Sequence, residues 1–155
     1  MAIGKVSYQK IGIKYGILVG VAHIIYFLLR GVLGLQDVVE LSFLSGIFLV
    51  IGIIVAISKY KKVNNTIEYF SGLGIGATVG VVSSVLLAIF LVLYISLYRA
   101  TYIENLQSSS LFPESISLMW LFILTIVYGT IPGFFIAFIA MQWFKRADHS
   151  MPERV

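Results

Sequence analysis

Four long apolar stretches, separated by short polar ones, organise the 155-residue chain. A helix rises about 1.5 Å per residue and the hydrocarbon core of a bilayer is about 30 Å thick, so a spanning helix needs on the order of 20 mostly apolar residues. The pattern predicts such helices from about Ile11 to Leu33, Leu41 to Lys59, Tyr69 to Tyr98 and Ile116 to Phe144. The most apolar part of the first lies between Lys14 and Arg30, whose side chains are long enough to snorkel toward the headgroups. The second is bracketed by Glu40 and by the cluster Lys59, Lys61 and Lys62. The third and fourth contain no charged residue and exceed the minimum length, so they are expected to tilt or to extend beyond the lipid. The expectation is an all-α, polytopic membrane protein: one domain of four transmembrane helices over residues 1–155, with no soluble domain. The longest connection, about Arg99 to Ser115, contains Ser108-Ser109-Ser110 and Pro113 and reads as a loop. No residue pattern repeats between the two halves.

Composition agrees with lipid as the solvent. Hydrophobic residues make up 59% of the chain and charged ones 12%, whereas a soluble domain carries roughly 25% charged residues to cover its surface. A secretory leader is the competing reading of the first stretch, with Lys5, Lys10 and Lys14 as its basic region. The exit argues against it, because Arg30-Gly31-Val32-Leu33-Gly34 stands where a small-x-small cleavage site belongs.

The basic residues set the expected orientation, since cytoplasmic loops carry the excess of Lys and Arg. Lys5, Lys10 and Lys14 precede the first helix; Lys59, Lys61 and Lys62 follow the second; Lys145, Arg146 and Arg154 follow the fourth. The other two connections hold only Arg30 and Arg99, among Asp37, Glu40, Glu104 and Glu114. Both termini are therefore expected in the cytoplasm. Tyr15, Tyr60, Tyr69 and Trp143 then fall at one interface and Tyr94, Tyr98, Tyr102 and Trp120 at the other, as aromatic belts do. The net charge of +4 serves topology, and without an aromatic-interleaved basic stripe no nucleic-acid partner is expected.

Within the spans, Gly72, Gly76 and Gly80, continued by Ser84 and Ala88, share one helix face and form a ridge that another backbone can approach closely. A nucleotide-binding glycine loop would need a preceding strand and a helix outside lipid, which this context lacks. Gly16 and Gly20 mark the first helix in the same way. His23 is an ionisable group inside a span, where such groups are costly. A neutral imidazole can be satisfied by a backbone carbonyl or by Tyr26, Ser83, Ser84, Thr125 or Tyr128, and no carboxylate within the spans would make a proton relay with it. His23, Tyr26 and Tyr128 are thus the candidate intramembrane polar site, read first as structural. Glu40 is expected to begin the second helix, where its charge complements the helix dipole. Pro132-Gly133 interrupts the fourth helix, removing a backbone hydrogen bond and kinking it.

Catalytic and metal chemistry lack a carrier. There is no H-E-x-x-H, no intramembrane aspartate pair, and Phe43 stands where a rhomboid-like G-x-S-G before Ser45-Gly46 needs its first glycine. With no cysteine and two histidines far apart, neither a metal site nor any other cofactor is expected.

From about Ser45 onward the chain resembles the DUF4199 membrane proteins, found mainly in Bacteroidota. The likeness rests on Ser58-Lys59-Tyr60-Lys61-Lys62, on Thr66-Ile67-Glu68-Tyr69-Phe70 leading into Gly74 to Leu97, and on Ile131-Pro132-Gly133 with Phe144-Lys145-Arg146. That resemblance implies four helices in a bacterial inner membrane and brings no functional residues. The function expected is that of a non-catalytic accessory or scaffold protein acting through helix packing, with the bilayer, a membrane-protein partner or further copies of itself as partners. A small oligomeric transporter or channel is the alternative, and it requires a polar cavity shared by several helices.

Overall fold

A computed structural model of the protein describes residues 6–35, 38, 40–98, 104, 107 and 117–149, the side chains of 98 and 146–149 excepted. Apart from Glu104 and Gln107, the loop from Arg99 to Ser115 lies outside the described residues, as do Lys5, Asp37, Arg154 and the Arg146 side chain. The described part is all-helical: α1 (Tyr8–Val32), α2 (Leu41–Leu44), α3 (Gly46–Asn64), α4 (Tyr69–Tyr98) and α5 (Leu118–His149). Four helices are long and apolar enough to cross a membrane, the second being α2 and α3 taken together. Their outward residues, such as Leu18, Leu29, Ile51, Leu93, Phe135 and Ile139, are large, apolar and exposed. A bundle with so much apolar surface facing outward is built for lipid.

The helix ends follow local chemistry. The Ser7 side chain accepts from the Gln9 N–H and caps α1, supplying one of the acceptors that a helix N-terminus lacks. At the other end of α1, Gly34 adopts φ +71°, the Gly34 N–H donates to the Gly31 carbonyl and the Leu35 N–H to the Arg30 carbonyl. This paired closure needs a residue that tolerates the left-handed region. Asn65 ends α3 in the same region, at φ 60°. Ser117 accepts from the Trp120 N–H and starts α5.

α4 is the central helix. One of its faces takes α5 along the glycine ridge: a Cβ built on Gly76 would lie 2.2 Å from the Ala137 Cβ and 2.8 Å from the Gly133 oxygen. On Gly80 it would lie 2.8 Å from the Gly129 oxygen, and on Gly72 it would meet the Met141 side chain. α5 answers with its own small residues, since a Cβ on Gly129 would meet Ser84 and one on Gly133 would meet the Gly76 oxygen and the Gly80 Cα. Two backbones in direct contact gain dispersion and weak Cα–H···O bonds that no larger residue would permit. The other face of α4 takes α1, where Gly12, Gly16 and Gly20 receive Thr78, Val82 and Leu86. Gly52 of α3 receives Val19 of α1.

Two buried clusters fill the bundle. The first, at the end where the lysines gather, draws on all four spans and includes Val19, Ile53, Ile57, Ile75, Val79, Ala137 and Met141. The second, toward the opposite end, consists of Phe27, Leu91, Ile95 and Leu121 with their partly buried neighbours, and contains no residue of α2 or α3. The second span therefore leaves the core as it approaches the loop at residues 33–40. Hydrogen bonds tie the lysine-bearing end together. The Asn64 side-chain amide both donates to the Val6 carbonyl and accepts from the Val6 N–H, and Lys61 Nζ donates to the Phe144 carbonyl at 3.3 Å.

Candidate functional site

Where α2–α3 parts from α5, a cavity of about 510 Å³ opens, lined by residues of all four spans. This falls in the range of roughly 300–1,000 Å³ typical of small-molecule sites. Its wall is largely aliphatic and aromatic, with Phe27, Leu49, Leu87, Leu91, Leu121 and Leu124 among its lining. Phe43 of α2 and Tyr128 of α5, which also line it, are 59% and 56% exposed.

The second span is broken at Ser45. The Ser45 N–H donates to the Ser42 carbonyl, three residues back, instead of to Leu41, and the Ser45 hydroxyl donates to the same Ser42 oxygen at 2.7 Å. That tightening strands the Leu41 carbonyl, which accepts from the Tyr26 hydroxyl at 2.9 Å. The Ser45 carbonyl accepts from the Phe48 N–H and from His23 Nε2, the latter at 3.1 Å. In a bilayer every exposed carbonyl must find a donor inside the protein, and here α1 supplies one to each side of the break. The His23 and Tyr26 rings also pack on Phe48, with centroids 6.2 and 5.8 Å apart.

Because a carbonyl can only accept, His23 carries its proton on Nε2 in the neutral form, which leaves Nδ1 as an acceptor. Nδ1 is buried without a hydrogen-bond partner. His23 and Tyr26 are brought together; Tyr128 is not beside them but on the opposite wall of the same cavity. Ser84 and Thr125 also line it, while Ser83 is fully buried in α4 and donates to the Gly80 carbonyl.

Arg30 departs from the snorkelling expected of it. It is only 3% exposed, and its guanidinium turns inward to donate to Ser42 Oγ at 2.6 Å and to the carbonyls of Leu35 and Val38. The reason is the closure at Gly34, which folds the chain back over the end of α1 and brings carbonyls within reach of a fork of donors. Arg30 so fastens the connection and α2 to α1 and forms part of the cavity wall.

The remaining candidates have plain placements. Gly72, Gly76, Gly80 and Ser84 face α5, and Gly16 and Gly20 face α4. Pro132 lies inside α5 and lines the cavity, and Gly133 touches α4. Thr130 does not supply a donor for the carbonyl that the proline frees, since its hydroxyl is buried without a partner. Glu40 precedes α2 without a side-chain capping bond. Lys61 and Lys62 line a second hollow with Asn65 and Trp143; Lys59 is exposed and Lys145 partly so. No group of His, Cys, Asp and Glu suited to a metal ion occurs among the described residues.

No family model, no curated protein and no solved structure matches the chain. Sequence reasoning missed the break at Ser45, the inward Arg30 and the cavity itself; Gly12 it could have found, since Gly12, Gly16 and Gly20 keep one spacing.

Proposed function

We propose that this is a non-catalytic, multi-pass membrane protein that holds one lipid-like molecule, drawn sideways from the bilayer into the cavity between its second and fourth spans. The observation that carries this reading is the cavity itself: it is walled by all four spans, mostly apolar, and lined in part by the exposed Phe43 and Tyr128. Such a shape suits an acyl or isoprenoid chain far better than an ion or a hydrated solute. The mostly apolar lining is not the polar cavity that the transporter or channel alternative requires, and α5 of the same chain already fills the glycine ridge on which the scaffold reading relied. Placement in a bacterial inner membrane with both termini in the cytoplasm, and membership of the DUF4199 proteins, are parts of the same proposal. They are supported by the lysine distribution and by the motifs around Lys59, Glu68 and Pro132.

Gly46 gives the test. It lines the cavity, and a Cβ added there would meet nothing within 4 Å, so Gly46→Phe is expected to fill the space without disturbing packing. Native mass spectrometry of protein released from mild detergent should find the wild type with one bound lipid and Gly46→Phe without it. Wild-type protein free of lipid, or a plugged variant that retains it equally, overturns the proposal.

A further inference from the structure

Resting on the reading of the cavity as a binding site, the hydrogen-bond accounting of its walls points to the headgroup it takes: we infer that the ligand is a neutral long-chain alcohol, recognised through its hydroxyl. The polar side chains on the walls have mostly spent their protons on backbone carbonyls. Tyr26 donates to Leu41, Ser45 to Ser42, Thr125 to Leu121 at 2.7 Å and Ser84 to Gly80 at 2.7 Å. His23 donates through Nε2 to Ser45. Each of the four hydroxyls retains a lone pair, whereas His23 Nδ1 is buried out of reach of an occupant. The wall therefore offers acceptors to whatever enters. The hydroxyl of Tyr128 has its proton available, and Ser42, which accepts from Arg30, keeps its own. A ligand that must donate one hydrogen bond and can accept another is met by an alcohol.

Other headgroups fit less well. An ether or ester has no proton to give and would leave the acceptors unpaired, which is the usual way a polar pocket rejects a near-isostere. An ammonium can donate, but it would bring a positive charge into an apolar space that already has the Arg30 guanidinium in its wall. A carboxylate would face the same lone pairs. Arg30 is the cationic group in the wall, yet its terminal nitrogens donate to Ser42, Leu35 and Val38, so an anion would have to compete with the contacts that close the first loop.

The test uses three probes with one C16 tail carrying a photoreactive diazirine: the primary alcohol, its methyl ether and the matching carboxylate. Each is added to the full chain in phosphatidylcholine nanodiscs, irradiated, and the labelled peptides are quantified. The alcohol is expected to label α3 and α5 residues of the cavity about threefold to tenfold more than the ether, the range one net hydrogen bond gives, and more than the carboxylate. Thr125→Val and Ser84→Ala, which leave His23 and the break at Ser45 intact, should shrink that advantage. If all three probes label the cavity equally and Gly46→Phe abolishes the labelling, the choice of an alcohol is wrong while the binding site stands. If the carboxylate dominates, the Arg30 contacts have yielded and the inference is overturned. If none labels the cavity, the inference falls together with the reading it rests on.

Discussion

Adding one methyl group at Gly76 tests the packing of the bundle directly. Its Cβ would lie 2.2 Å from the Ala137 Cβ and 2.8 Å from the Gly133 oxygen, whereas carbon atoms pack at about 3.5–4.0 Å. The neighbours are a helix backbone and a Cβ fixed to it, so no rotamer change relieves the clash, and α4 and α5 must separate locally by roughly 1 Å or more. Overpacking of this kind costs about 1–3 kcal/mol, and a backbone neighbour places it toward the upper end. Against this, alanine gains about 0.5–1 kcal/mol over glycine within a helix. The net expectation for Gly76→Ala is a loss of about 1–2 kcal/mol. The assay is equilibrium unfolding in mixed micelles of rising sodium dodecyl sulfate fraction, with Gly46→Ala as the control that gains propensity without a clash. Adding Ala137→Gly to Gly76→Ala should recover part of the loss, because it removes the 2.2 Å contact and leaves the one to the Gly133 oxygen. A Gly76→Ala protein as stable as the wild type would refute the claim that these backbones touch.

Three further outcomes follow from the cavity end of the molecule and from its charges. Arg30→Leu should free the first loop, so that a cysteine placed at Leu35 in this cysteine-free chain reacts with a water-soluble maleimide several times faster than in the Arg30 background; an unchanged rate would mean that the guanidinium does not hold the loop. Tyr26→Phe removes the donor to the Leu41 carbonyl and should destabilise by about 0.5–1.5 kcal/mol in the same micelle assay, with no loss indicating that the carbonyl finds another donor. For orientation, a cysteine at Lys62 should be shielded from an impermeant reagent in intact cells and one at Gln107 should react, and the reverse pattern would invert the proposed topology.

The spans could be read from apolar length alone because lipid leaves a crossing chain few options other than a helix. What α4 does with its glycines was legible as a close approach, but the partner was not: α5 contributes Gly129 and Gly133 at the same four-residue spacing, and the proline beside Gly133 drew attention to a kink instead. On α1 the inward face was legible at Gly16 and Gly20, which meet α4, but the closure at Gly34 that turns Arg30 inward left no pattern in the sequence. Arg30 accordingly looked like an anchor for headgroups and is instead a clasp for the loop. The break at Ser45 carries no proline, and Ser-Gly is a weak signal inside an otherwise helical run. A cavity leaves still less trace, because it consists of side chains that fail to meet.

Entry from the side, as proposed for this cavity, changes what affinity means for this protein. A pocket that faces water gains from shedding it, but one that faces hydrocarbon begins already filled with someone else's tail. Occupancy is then an exchange against the whole membrane, governed by mole fraction rather than by free concentration. In such a contest the tail contributes almost nothing to choice, and a scarce ligand prevails only through what its head does that the bulk lipid's cannot.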